Sequence, residues 1–377
     1  MTERLNKNNA QASDNQPKSV RIAYFVSPHG FGHAARACAV SASLHRIAPD
    51  AVIDFFTMVP QWFFADSLSF PFGYFPLRSD IGVAQVDALR EDLNETVNLL
   101  IAYLPFAGEA FEQLSARLAG DGYCLVICDI SPLGLAAAHR AGIPSVLVEN
   151  FTWDWIYAGY YQAEPRLEQF AYSLKAAFEL ADVHFQTIPY CEKVEKGIPI
   201  APVARKARHL RAQIRAELEL LDEPMVLVTM GGVRQVFSAL EALKKSQEFT
   251  YVIPGASETV IREDNLILLP HHSQFYHPDL VYASDLVIGK LGYSTVAEAY
   301  HAGIPYGYIP RPLFRETGPM GAFVETAMNG VCIPPEEFSQ GNWVERIPDL
   351  LNKKPLHLDS ENGADQIAEN VLRLLQA

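Results

Sequence analysis

The chain has 377 residues, 49% of them hydrophobic and 20% charged, with a formal net charge of −14. That length exceeds one ordinary core and points to two domains, in a composition that is neither disordered nor membrane-embedded. The acidic balance and the lack of a long Lys/Arg run argue against nucleic acid as a partner, and the apolar runs fall far short of the ~20 residues that span a bilayer.

The first eighteen residues are polar and lack an apolar segment, so residues 1–18 read as a disordered tail and not as a signal peptide. Five cysteines, an odd number set mostly in apolar stretches, suit buried thiols in a cytoplasmic protein. Cys124 and Cys128 have no second ligand pair downstream and do not make a zinc site.

Residues 19–200 read as a first Rossmann-like domain. Its strand Arg21 to Ser27 runs into Pro-His-Gly-Phe-Gly-His-Ala-Ala-Arg, residues 28–36, a glycine-rich turn opening a helix. The spacing begun by Gly30 and Gly32 meets Ala35 where a dinucleotide fingerprint needs its third glycine. His33 could serve as a general base, with an ordinary helix-start histidine as the plainer alternative. Further strands are expected at Ala51 to Thr57, Leu125 to Asp129, Ser145 to Glu149 and Val183 to Gln186. An aromatic-rich segment, Asn150 to Tyr157, follows the fourth strand; Trp153 and Trp155 there either stack on a ligand or, the safer reading, pack into the core.

A polar, basic stretch from about Glu192 to Arg215 reads as a linker, and residues 201–377 as a second Rossmann-like domain closed by a helix over Ala364 to Leu375. Strands are expected at Met225 to Met230, Thr250 to Ile253, Asn265 to Leu268, Leu286 to Gly289 and Tyr306 to Ile309. Gly231 and Gly232 after the first of these would let a ligand approach the backbone, or simply form a tight turn.

An internal repeat relates the two halves: Leu125 to Pro144 aligns without a gap to Leu286 to Pro305, with nine of twenty positions identical. Each copy is a strand, a loop, an alanine-rich helix, a glycine at its end and Ile-Pro before the next strand. The second copy carries Gly289, Gly292, Ser294, Thr295 and Glu298 where the first has Cys128, Ser131, Leu133, Gly134 and Ala137. A helix starting near Ser294 and Thr295 offers free amides and a positive dipole end to an anion such as a diphosphate, and Lys290 adds charge. Glu298, one turn on, could accept from ribose hydroxyls; the plainer alternatives are an N-cap for Ser294 and a first-turn acid for Glu298. No Asp-x-Asp triplet occurs, so neither a divalent metal nor any other cofactor is expected.

Gly-Phe-Gly-His-Ala-Ala-Arg (30–36), Asn-Phe-Thr-Trp-Asp-Trp-Ile-Tyr (150–157) and Gly-Lys-Leu-Gly-Tyr-Ser-Thr-Val-Ala-Glu-Ala (289–299) together resemble the glycosyltransferase-like N-terminal domain of the L-arabinokinase family. More distantly, the chain is similar to the GT-B glycosyltransferase superfamily, over roughly Arg21 to Asn329. The sequence ends at Ala377 without a kinase domain, so kinase activity is not expected. The resemblance implies an α/β fold of two facing Rossmann-like domains. It implies a nucleotide-sugar donor, uridine-linked by preference, held by the second domain with Glu298 on the ribose and Ser294 and Thr295 beside the diphosphate. It puts His33 across the cleft as catalytic base, Phe314, Arg315 and Glu316 near the donor sugar, and Asn150 and Asp154 on the side of an unidentified acceptor. Two alternatives share that cleft: a nucleotide-sugar hydrolase, which Gly-Phe-Gly-His-x-x-Arg also resembles, and a non-catalytic nucleotide-sugar binder.

Overall fold

The computed structural model describes residues 20–87, 90–231, 239–353 and 360–376; the expected tail at 1–18 and Gly232 lie outside the described residues. The strands in chain order are β1 (Arg21–Val26), β2 (Val52–Thr57), β3 (Gly73–Pro76), β4 (Gln85–Asp87), β5 (Arg90–Glu91), β6 (Leu125–Asp129), β7 (Ser145–Glu149), β8 (Val183–Thr187) and β9 (Ile198–Ile200) in the first half. The second half holds β10 (Met225–Thr229), β11 (Thr250–Ser257), β12 (Ile261–Glu263), β13 (Leu266–Pro270), β14 (Leu286–Lys290), β15 (Tyr306–Ile309) and β16 (Val331–Cys332).

Two seven-stranded sheets result, in the orders β3-β2-β1-β6-β7-β8-β9 and β12-β13-β11-β10-β14-β15-β16, and β4 pairs with β5 in a small antiparallel ribbon. Every pairing in the large sheets is parallel except β12 with β13. Strands such as Leu-Val-Ile-Cys-Asp and Met-Val-Leu-Val-Thr are buried along their whole length, which is why they read as continuous apolar runs instead of alternating ones. All ten strands expected from the sequence are present. Those not foreseen are chiefly short edge strands, where few apolar residues mark the chain.

The repeat is one structural unit used twice. In each half it supplies the strand beside the half's first strand, β6 beside β1 and β14 beside β10, followed by a helix that ends on a left-handed glycine, Gly142 (φ 69°) or Gly303 (φ 67°). Each sheet thus reverses its strand order at that pair, and the crevice outside such a reversal is where open α/β sheets bind ligands.

The expected linker is not a free tether. It contains β9, a helix at Arg211–Glu217, and Arg205, whose Nε donates to Glu298 at 2.9 Å. The closing helix, Gly363–Gln376, crosses back onto the first half. There it packs along α1 (Phe31–Ile47), with Asp365 accepting from Ser43 at 2.6 Å and Arg46 at 3.0 Å. Its apolar face, Ala364, Ile367, Ala368 and Val371, is buried. Among the described residues no helix is long and apolar enough to cross a membrane.

Candidate active site

The two strand-order reversals face each other across a cleft, and the helix that follows each enters it tip first. At the start of α1, Gly30 has φ 78°, a left-handed conformation that glycine reaches without strain. Gly32, one residue into that helix, comes so close to the opposite helix, Tyr293–Ala302, that a Cβ on it would stand 3.6 Å from the Ser294 Oγ. Neither tip is closed by a side chain. The equivalent helix of the first repeat copy is closed, since Ser131 accepts from the Gly134 amide at 3.3 Å. First-turn amides without intrahelical partners at Tyr293–Ala302 therefore remain available to an anion.

On the first-domain side, His33 is 8% exposed and its Nδ1 lies 2.9 Å from Asp129 Oδ1. An anionic acceptor there sets the tautomer: Nδ1 carries the proton and Nε2 is left basic. Arg36 Nη2 also lies 3.4 Å from the same nitrogen, but its shorter bonds go elsewhere. Its Nε and Nη2 each donate to Asp129 at 2.7 Å, and Nη1 donates to Asn150 Oδ1 at 2.8 Å. Burial works against a charge on Asp129, yet the Arg36 guanidinium and the bonds from Arg36 and His33 hold its carboxyl below the usual range. Asn150 completes the chain by donating from Nδ2 to Glu316 Oε1 of the second domain at 2.8 Å. His33, Asp129, Arg36, Asn150 and Glu316 thus form a line of five side chains that joins the two halves along the cleft, with the Tyr293 ring 4.9 Å from the Arg36 guanidinium.

Two cavities occupy the cleft. The larger, about 510 Å³, is lined by Trp62 and Phe63 from the first half and by Thr229, Gly255, His271 and His277 from the second. The smaller, about 100 Å³, is lined by His29, His33, Asn150, Lys290, Arg311 and Glu316, among others. They share Phe31, Gly32, Gly231, Ser294 and Thr295 as common wall. Burial, then the Arg311 charge, pulls the Lys290 ammonium down to about 8. His29 is pushed well below its ordinary value by burial and by the nearby charges of Arg311, His33 and Lys290.

The sequence-expected residues divide accordingly. Gly30, Gly32, His33, Asn150, Gly231, Lys290, Gly292, Ser294, Thr295 and Glu316 all line one cavity or both. Four do not. Glu298 stands behind the wall, with Oε1 taken by Arg205 and Oε2 by His277 Nδ1 at 2.9 Å; its side chain is 2% exposed. What reaches the larger cavity is His277, which Glu298 orients. Gly289 is a packing glycine, because a Cβ there would meet the Thr229 carbonyl oxygen at 2.5 Å. Arg315 points away from both cavities, donating to the Trp155 carbonyl at 2.7 Å and lying over the Trp155 ring at 4.1 Å. Asp154 sits in the first turn of the helix Trp153–Ala158, outside the cavities, and burial raises its pKa. Trp153 and Trp155 are core residues, Trp153 donating to Asp80 at 2.8 Å.

No family model matches the chain. It is 28% identical over 364 residues to L-arabinokinase of Arabidopsis thaliana, covering 94% of this chain and 34% of that one. It is 26% identical over 202 residues to the UDP-N-acetylglucosamine–N-acetylmuramyl-(pentapeptide) pyrophosphoryl-undecaprenol N-acetylglucosamine transferase of Desulforudis audaxviator, covering 48% of this chain and 51% of that one. The chain therefore spans about a third and a half of these relatives' lengths. Among solved structures, the Streptomyces sp. SF2575 glycosyltransferase SsfS6 complexed with thymidine diphosphate matches 95% of this chain and 100% of its own, with a TM-score of 0.56 and 15% identity. The chain has the GT-B fold.

Within this GT-B cleft the sequence reading missed Asp129, Arg36, Arg311, His29, His277 and Arg205. A signal for Asp129 existed: in the repeat alignment it falls opposite Lys290, so the two halves end equivalent strands with opposite charges at the cleft. Arg36 and His29 lay in a motif already noticed. The other three are lone basic residues in loops or at a helix start, and nothing in their local pattern marks them.

Proposed function

We propose that this protein transfers a glycosyl group from a nucleoside-diphosphate sugar, uridine-linked by preference, to a hydroxyl or similar nucleophile. His33 Nε2 takes the proton from the acceptor as its oxygen attacks the anomeric carbon. The bond from that carbon to the β-phosphate oxygen breaks, and its electron pair leaves with the diphosphate. The open first turn at Tyr293–Ala302 and Lys290 stabilise the charge that develops there, which is where preorganised donors act most strongly.

The observation that carries this reading is the 2.9 Å bond from His33 to Asp129, in the wall of a cavity that also contains Ser294 and Thr295. The thymidine diphosphate held by SsfS6 and the UDP-sugar named for the N-acetylglucosamine transferase support the donor class. In place of a ribose bond to Glu298, His277 Nε2 and Thr229, 3.5 Å apart, are the groups offered to the nucleoside.

A His33→Ala variant is expected to lose turnover by at least ~10²-fold while nucleotide affinity, measured by calorimetry, stays within about threefold. Turnover near the original rate would overturn the assignment of His33. Running the same assay without acceptor separates transfer from hydrolysis: release of nucleotide at the full rate identifies water as the nucleophile.

A further inference from the structure

The position of the linked phosphates divides the cleft by chemistry. If they rest on the free amides at Ser294 and Thr295, in the wall common to both cavities, the nucleoside takes the 510 Å³ side and the sugar the 100 Å³ side with His33. The lining of that sugar side is unusual for a neutral hexose, whose hydroxyls are best met by groups that both donate and accept. Asn150 and Gln85 offer such groups there, but Lys290 and Arg311 also line the smaller cavity, and not the larger.

Arg311 is 5% exposed and lies 3.5 Å over the Phe314 ring, and among the described residues neither cation forms an ion pair with a carboxylate. The nearest opposing charges are Glu316, already accepting from Asn150, and Glu91; they do not offset the loss of water, since Arg311 is held below its ordinary value and Lys290 is pulled down with it. Arg311 is buried and Lys290 half-buried, so an arriving anion would offset a charge held partly out of water. A diphosphate at the common wall accounts for Lys290, which lies beside Gly231, but not for Arg311, which lies off that wall. A guanidinium with its fork unoccupied is suited to a carboxylate.

We propose that the transferred sugar is acidic, so that the donor is a nucleoside-diphosphate uronate whose carboxylate is held by Arg311, with Lys290 between it and the diphosphate and with Glu316 and Asn150 left for its hydroxyls. This rests on the donor reading above. Calorimetry with UDP, UDP-glucose and UDP-glucuronate, and with the galactose and galacturonate pair, tests it. At least tenfold tighter binding of one uronate than of its neutral counterpart is expected, and Arg311→Gln should abolish that preference while UDP affinity stays within threefold. Equal affinity for uronates and neutral sugars overturns the proposal, as does a loss in Arg311→Gln that is as large for UDP as for the uronate, which would assign the cations to the diphosphate. Should that variant not fold, Arg311→Lys, which keeps the charge but loses the fork, carries the same comparison, with the uronate preference expected to weaken. Failure of both UDP and thymidine diphosphate to bind is a separate result, which overturns the donor reading itself and the acidic sugar with it.

Discussion

Asp129 has two jobs at one carboxylate: it orients His33 and it neutralises Arg36, both side chains being buried. Asp129→Asn should therefore show two effects. Turnover is expected to fall by roughly 10²–10⁴-fold because the histidine loses its fixed tautomer. Breaking the buried pair should also cost on the order of 3–5 kcal/mol, measurable by denaturant unfolding. Because the folded-state pKa of Asp129 is depressed, its contribution is present above the usual carboxylate range and is lost as pH falls through and below that range. Lys290 behaves in the opposite sense. With its ammonium pulled down to about 8 by burial and Arg311, and with Glu316 and Glu91 opposing that, it is charged at pH 7 and largely neutral at pH 9.5. Affinity for the anionic donor should fall as pH rises through about 8, and Lys290→Arg should flatten that profile in calorimetry at the two pH values. His33 was legible in the sequence because Gly-Phe-Gly-His opens a helix straight after a strand. Asp129 was not, since an aspartate ending a buried strand looks the same whether or not a histidine ninety-six residues away leans on it.

At the scale of elements, the two copies of the repeat show how one scaffold acquires two uses. The first closes its helix with Ser131, whose hydroxyl also donates to the Ser79 carbonyl at 2.8 Å; the second opens with Gly292 and leaves the first turn unfilled. The repeat was readable because strand, helix and C-terminal glycine are local features. The exchange of glycine for serine at the cap position was readable too, and it pointed to the copy whose helix tip is uncapped. Gly289 was read as part of the ligand loop, yet it is required by β10, whose Thr229 carbonyl oxygen would be 2.5 Å from a Cβ. Gly289→Ala should consequently act on stability, costing about 1–3 kcal/mol in thermal or denaturant unfolding through overpacking, before it acts on ligand binding. Edge strands β9, β12 and β16 escaped the sequence because two or three residues are too few to show a pattern.

The whole molecule is held together by crossings that no single segment announces. Asn150 to Glu316, Arg315 to the Trp155 carbonyl and the closing helix on α1 all tie one half to the other. At the cavity mouth, His272 pairs with Asp66 at 2.9 Å and stacks on Trp62 at 4.3 Å, a further crossing but an exposed one. Ile367 is fully buried where the closing helix meets the first half. Ile367→Ala is expected to cost about 2–5 kcal/mol in unfolding although it lies outside both cavities. By itself the sequence determined that there would be two Rossmann-like halves and which helix of the second would turn its tip to the cleft, because apolar strand runs, helix ends and glycine turns are set by neighbours a few residues apart. Tertiary structure alone decided that Asp129 orients His33, that Arg205 and His277 cover Glu298, that Arg315 faces away, and that Lys290 and Arg311 stand without ion-pair partners among the described residues. A site's electrostatics depend on which side chains from distant segments are brought within about 3 Å and which are deprived of water, and that is set by sheet order and domain packing, not by local pattern.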